Sequence, residues 1–162
     1  MMRFLLDADD DWIEVVRRWL FPRLHGVASR FGAYTIGTTG ENQRVCRVLV
    51  DEETIETVLV ALGFERNPIA CFKSLVDGRE SEGSWVLRSH DDRFGLLERD
   101  RQLHVTLFLP RYGHGVLVYA HEEYDWQDAP RKHFLGESVD PIIGATKMLY
   151  LLMEQTDLKL QL

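Results

Sequence analysis

Three stretches of the chain place apolar residues at helical spacing, and several others alternate apolar and polar positions as strands do. In "DADDDWIEVVRRWLF", Trp12, Val15, Val16, Trp19 and Leu20 recur at i, i+3, i+4, i+7 and i+8. Asp9 or Asp10 caps that helix, and Pro22 and Gly26 close the segment. "MRFLL" before it reads as a short strand, and a second is expected near 33–36. "RVCRVLV" (44–50) is β-branched and apolar, the composition of a buried strand. Asp51 then caps a helix with Glu52 and Glu53 in its first turn, Ile55, Val58, Leu59 and Leu62 on one face, and Gly63 as its stop. "IACFKSLV" (69–76) follows as a strand, so the segment from 44 to 76 reads as a β-α-β unit.

"SWVLRS" (84–89), "LHVTLFLP" and "GVLVYAHEEY" are the strands of an antiparallel sheet, and "DWQDAPRKHFLGES" is an irregular connection. Asp140 and Pro141 begin a C-terminal helix that is apolar over a wide face, through Ile142, Ile143, Met148, Leu149, Leu151, Leu152 and Met153. "LKLQL" reads as a short edge strand. Together these elements predict an α+β fold, a single domain over 1–162. It has a mostly antiparallel sheet with helices packed mainly on one face, one β-α-β unit and a C-terminal helix.

Composition narrows the function classes. A net charge of −7 with a pI near 5.3 argues against general nucleic-acid binding, which needs a basic surface. Cys46 and Cys71 lie inside apolar runs without a CxxC or Cys/His cluster, so buried thiols are expected rather than a disulfide framework or a zinc finger. No apolar stretch approaches the roughly 18 residues of a spanning helix. The first apolar run is too short for a signal peptide. A cytoplasmic protein without membrane contact is the expectation.

The chemistry concentrates in "RQLHVTLFLPRYGHGVLVYAHEEYDW" (101–126). Leu103, Val105, Leu107 and Leu109 alternate with His104, Thr106 and Phe108; Val116, Val118 and Ala120 alternate with Leu117, Tyr119, His121 and Glu123. Matching the apolar sets across a hairpin puts His104, Thr106, His121 and Glu123 on one face. A two-residue Gly113-His114 turn would set His104 opposite Glu123 and Thr106 opposite His121. A register slipped by two would instead pair His104 with His121 on the same face.

That face has several readings. As plain outer-sheet surface, a His–Glu pair adds a few tenths of a kcal/mol at most. As a metal site, His104, His121 and Glu123 are two imidazoles and a carboxylate, the donor set of many catalytic zinc and non-haem iron centres. His90 and His133 join only if the fold brings them close. "HVTLF" resembles one copy of the His-x-Thr-apolar motif of the 2H phosphoesterases. That resemblance implies an acid or base role for His104 and a phosphate-oxygen donor in Thr106. The family carries two such motifs, and a second is absent here. "LGF" at 62–64 also resembles the helix-to-strand junction of vicinal-oxygen-chelate modules, whose strands carry metal ligands. The strand at 44–50 has no histidine, so the junction reads as local helix chemistry.

Two functional expectations follow. One is a small binding or interaction domain for a protein partner or small ligand, without a resident cofactor. The other is a hydrolase or lyase using His104, His121, Glu123 and Thr106, with a divalent metal as an optional cofactor. Partner identity and oligomeric state are not encoded in any motif of the chain.

Overall fold

The computed structural model describes residue 30 and residues 38–67 and 73–162. The expected first helix, the strands at "MRFLL" and 33–36, and Cys71 lie outside the described residues.

The main sheet has six strands: β2 (Arg44–Val48), β3 (Glu65–Arg66), β5 (Gly83–Arg88), β6 (Arg101–Phe108), β7 (Val116–Tyr124) and β8 (Leu160–Gln161), in the order β3-β5-β6-β7-β2-β8. Every neighbouring pair is antiparallel. β1 (Thr38–Thr39) and β4 (Ser74–Leu75) form a separate parallel pair. Three helices are described: α1 (Glu52–Ala61), α2 (Pro130–Leu135) and α3 (Pro141–Gln155).

The helices start where capping chemistry places them. The Asp51 carboxylate accepts from the Thr54 N–H at 2.8 Å, and the Asp140 carboxylate accepts from the Ile143 N–H at 2.8 Å. Both α1 and α3 cover the same sheet face. Ile55, Leu59, Met148, Leu151 and Leu152 pack with Val105, Leu107, Val116, Val118 and Ala120 in one core. α3 sits so close to β7 that Gly144 leaves no room for a side chain above the His121 backbone.

Three expectations change in detail. The β-α-β unit exists, but its return strand is β3 at 65–66, which is separated from β2 by three intervening strands and runs parallel to it. Of the predicted strand at 69–76, residues 69–72 lie outside the described residues; among the rest Ser74 and Leu75 are strand, and they pair with Thr38 and Thr39. The connection after β7 contains α2, with Pro130 in its first turn and Gly136 closing it at φ 66°.

The β6–β7 turn is longer than predicted. Strand pairing stops at Phe108↔Leu117, leaving 109–115 as a loop. Arg47 holds that loop by donating to the carbonyls of His114 (2.6 Å) and Tyr112 (3.1 Å). Gly115, at φ 97°, passes where a β-carbon would meet the Val48 carbonyl oxygen at 2.2 Å. These contacts with β2 favour the wider loop over the two-residue turn and slip the register by two.

Candidate functional site

The slipped register pairs His104 directly with His121, and their rings lie 4.8 Å apart between centroids. Glu123 stands opposite Gln102, and Thr106 opposite Tyr119. The parity expectation therefore holds: His104, Thr106, His121 and Glu123 share the face opposite the helices. The pairings expected from the short turn, His104 with Glu123 and Thr106 with His121, are diagonal ones.

The face is not a solvated surface. His104, His121, Glu123 and Thr106 are all buried, none more than 3% exposed. Ser84 and Arg88 of β5 join it, because Ser84 lies opposite Thr106 and Arg88 opposite Gln102. Phe108 and Tyr119 make an edge-to-face pair at 5.3 Å, packed with Leu75 and Leu117 at the apolar end of the same face.

Glu123 joins the cluster together. One carboxylate oxygen lies 3.1 Å from His104 Nδ1 and accepts from the Gln102 amide at 2.8 Å. The other lies 3.4 Å from His121 Nε2 and 3.6 Å from His133 Nδ1. His133, on α2, donates its Nδ1–H to the Tyr124 carbonyl at 2.8 Å. His104 Nε2 is hydrogen-bonded to the Ser84 hydroxyl, and the Lys73 ammonium lies 3.5 Å from His104 Nδ1. His121 Nδ1 meets the Gln43 side-chain oxygen at 3.0 Å.

Burial sets the protonation states. It pushes His104 down to about 3, the Lys73 charge adding to the shift and Glu123 opposing it. His121 is lowered by burial and then by Lys73. Burial pushes the Lys73 ammonium down to about 8 against the pull of Glu123. Burial alone would raise Glu123, but hydrogen bonds from His104 and His121 hold it well below the usual carboxylate range. Both imidazoles are therefore neutral at pH 7, each with one N–H and one lone pair.

His121 Nδ1 meets the Gln43 side-chain amide, and its Nε2, 3.4 Å from a Glu123 oxygen, is buried without a hydrogen bond of good geometry. Two buried polar atoms on this face, Gln102 Oε1 and His121 Nε2, have no hydrogen-bond partner, whereas Arg88 Nε and Asp125 Oδ2 lack hydrogen-bond geometry but form an ion pair at 3.3 Å.

His104, His121 and Glu123 each present one donor atom, all within 4.8 Å of one another. A tetrahedral ion with bonds near 2.0–2.1 Å separates its ligand atoms by about 3.3 Å. The imidazole–carboxylate contacts are near that value but run to different oxygens, 3.1 Å to one Glu123 oxygen and 3.4 Å to the other. The outer partners also fit, since Gln43 and Ser84 contact the far nitrogens of the two rings.

Two neighbouring arrangements are excluded by geometry. Ser84, His104 and Glu123 follow the atom order of a nucleophile–base–acid relay. Ser84 is wholly buried in a central strand, where no acyl substrate reaches its hydroxyl. His90 does not join the cluster; it groups with Asp125 and Asp128 and pairs with Asp91 at 3.1 Å. Asp125 already faces Arg88 at 3.3 Å and accepts from the Gln127 N–H at 2.7 Å, so a bound cation is not required there.

Strand parity predicts four of these residues. Gln102 could have been added on the same parity, two positions before His104. Lys73 is a lone charge in an apolar run, a signal without a location. Ser84 and Gln43 reach the site only through long-range pairing. Arg88 and Arg101 are buried: Arg88 pairs with Glu65 and Asp125, Arg101 with Glu122.

Compared with known proteins, the chain matches no family model, no curated protein and no solved structure. Among the described residues no helix is long and apolar enough to cross a membrane.

Proposed function

We propose that this chain binds a divalent transition-metal ion through His104, His121 and Glu123. The observation that carries the reading is the convergence of two buried imidazoles and a buried carboxylate, with donor atoms within 4.8 Å of one another and His121 Nε2 without a hydrogen-bond partner. Three protein donors leave a coordination position open, the feature that separates catalytic from closed structural zinc sites. Borderline-soft imidazole with one carboxylate suits zinc, iron or manganese better than calcium. Burial restricts the ligand to something small, which favours this over the docking of a protein partner. His133, 29% exposed on its side chain, marks the approach to the cluster. Thr106 lies on the face without a contact to the ring nitrogens, so it is a lining residue in this reading.

Metal analysis of protein purified without a histidine tag tests the proposal. The expected result is one equivalent of Zn, Fe or Mn in the wild type. Glu123→Gln, which keeps the shape of the side chain, should lose it. Gln43→Leu should lower affinity by roughly 10- to 100-fold through loss of the His121 support. Binding at 100 times Kd should add about 2.7 kcal/mol to stability. A wild-type protein that takes up no metal and gains no stability from Zn, Mn or Fe(II) refutes it.

A further inference from the structure

Where β6 begins and β7 ends, the register Arg101↔Tyr124 and Leu103↔Glu122 puts Arg101, Glu122 and Tyr124 on the helix-covered face, away from the histidines. The start of α3 and the connection before it stand beside them, and a cleft of about 670 Å³ opens between, the size of a small-molecule site. Its charges are unevenly placed. Glu98 and Arg99 are exposed at the rim, Arg99 pairing with Asp100 at 3.6 Å, and the Asp140 carboxylate is engaged by the Ile143 N–H. Deeper in, the single carboxylate of Glu122 faces two cations, Arg101 Nε at 3.0 Å and the Lys147 ammonium. Lys132 is a third cation, 4.4 Å from the centre of the Tyr124 ring that Arg101 also overlies at 4.7 Å, and it has no carboxylate partner among the described residues.

The Arg101 side chain is only 10% exposed, with Nε donating to Glu122 and Nη2 to the Ser138 carbonyl at 2.9 Å. Its Nη1 has no partner among the described residues and is not sealed from solvent, so this donor faces the cleft. The walls are held in place: Asp100 and Ser138, at φ 62° and 53°, are the two non-glycine residues in the left-handed region among those described, and their carbonyls accept from the Asp125 N–H and from Arg101. We infer that this cleft binds a small organic anion through a phosphate or carboxylate group, held by Arg101 Nη1, Lys132 and Lys147. A guanidinium edge matches the oxygens of either group, and the anion adds negative charge where three cations share one carboxylate. The site lies on the opposite face of the sheet from the metal ligands and is independent of them.

The test uses the full chain, labelled with 15N and passed over a chelating resin so that no metal-held anion contributes. Inorganic phosphate and, separately, acetate are titrated at constant ionic strength and followed by 1H–15N NMR. The expected result is a saturable shift of the amides at 99–101, 132 and 138–140, and the anion that saturates at lower concentration identifies the group recognised. Lys132→Gln changes an exposed side chain and should leave the spectrum elsewhere intact while weakening that anion about tenfold. Lys147→Gln should weaken it as well. Shifts that fail to saturate with either anion, or that spread over surface lysines and arginines instead of the cleft, overturn the inference. Wild-type affinity in both lysine variants overturns it too, because the anion is then held elsewhere. None of these outcomes bears on the metal reading, which metal analysis tests separately.

Discussion

Gly144→Ala is a sharp test of how α3 supports the site. A β-carbon at this position would lie 2.2 Å from both the Cα and the carbonyl carbon of His121, and 2.4 Å from the Glu122 nitrogen. These are backbone atoms of a central strand, so no side-chain rotation relieves the clash. Reaching ordinary contact at 3.4 Å requires α3 to retreat by about 1.2 Å. The retreat loosens Met148, Leu151 and Leu152, each fully buried. Burial of each is worth about 1.5–3 kcal/mol. A gap of 0.5–1 Å forfeits a quarter to a half of a dispersion contact, so the loss is roughly 1–4 kcal/mol. Alanine returns about 1 kcal/mol of helix propensity. The net expectation is destabilisation of about 2 kcal/mol, which is about 1 M in the urea midpoint at an unchanged slope. Far-UV circular dichroism during urea unfolding measures it. A midpoint equal to or above that of the wild type refutes the reasoning, because propensity alone would then have decided the outcome. The same substitution pushes on His121 from behind, so metal affinity should fall with stability.

Three further outcomes follow from local chemistry. Arg47→Ala removes two hydrogen bonds to the 109–115 loop; amide exchange should accelerate there, with a global cost of about 1 kcal/mol because the site is exposed. Asp51→Ala should lower the urea midpoint at neutral pH. The Thr54 hydrogen bond holds the Asp51 carboxyl below its ordinary value, so this stabilisation is present above about pH 3.9 and is lost as pH falls through the depressed value; the gap between the two proteins should close in acid. Burial pushes the Cys46 thiol up to about 11 against the opposing charge of Arg44. At about pH 8 its labelling by a thiol reagent, followed by peptide mass spectrometry, should run on the order of 10²-fold slower than in the urea-unfolded chain.

The fold was legible where burial writes a period into the sequence. α1 and α3 carry caps and apolar stripes, and the alternation in β6 and β7 locates the histidine face. Register was not legible, because it depends on Arg47 and Val48 of another strand shaping the 109–115 loop. β3 escaped notice because Glu65 and Arg66 are exposed edge residues with no apolar signature. In the described part of the apolar run 69–76, Lys73 and Leu75 are buried and Val76 is exposed, and the short strand there pairs outside the main sheet. α2 had its terminal signals in Pro130 and Gly136, but none of its six residues is buried, so no stripe announced it. The site was half legible for the same reason: parity along one hairpin groups His104, His121 and Glu123, whereas Lys73, Ser84 and Gln43 arrive through pairing at long range.

The two faces of β6 and β7 make different demands, and the contrast bears on function. Both faces are buried, so stability alone would be served by apolar residues on each. The helix side uses them. The other side carries two neutral imidazoles, a carboxylate and an ammonium, with Gln102 Oε1 and His121 Nε2 unpaired, each unpaired atom costing about 1–3 kcal/mol. Replacing a buried polar cluster with apolar side chains of similar volume is often neutral or stabilising. A bound ion, as proposed above, would pair the free nitrogen of His121. Gly144 belongs to the same logic, since the close seat of α3 on one side of the sheet fixes the backbone from which His121 projects on the other.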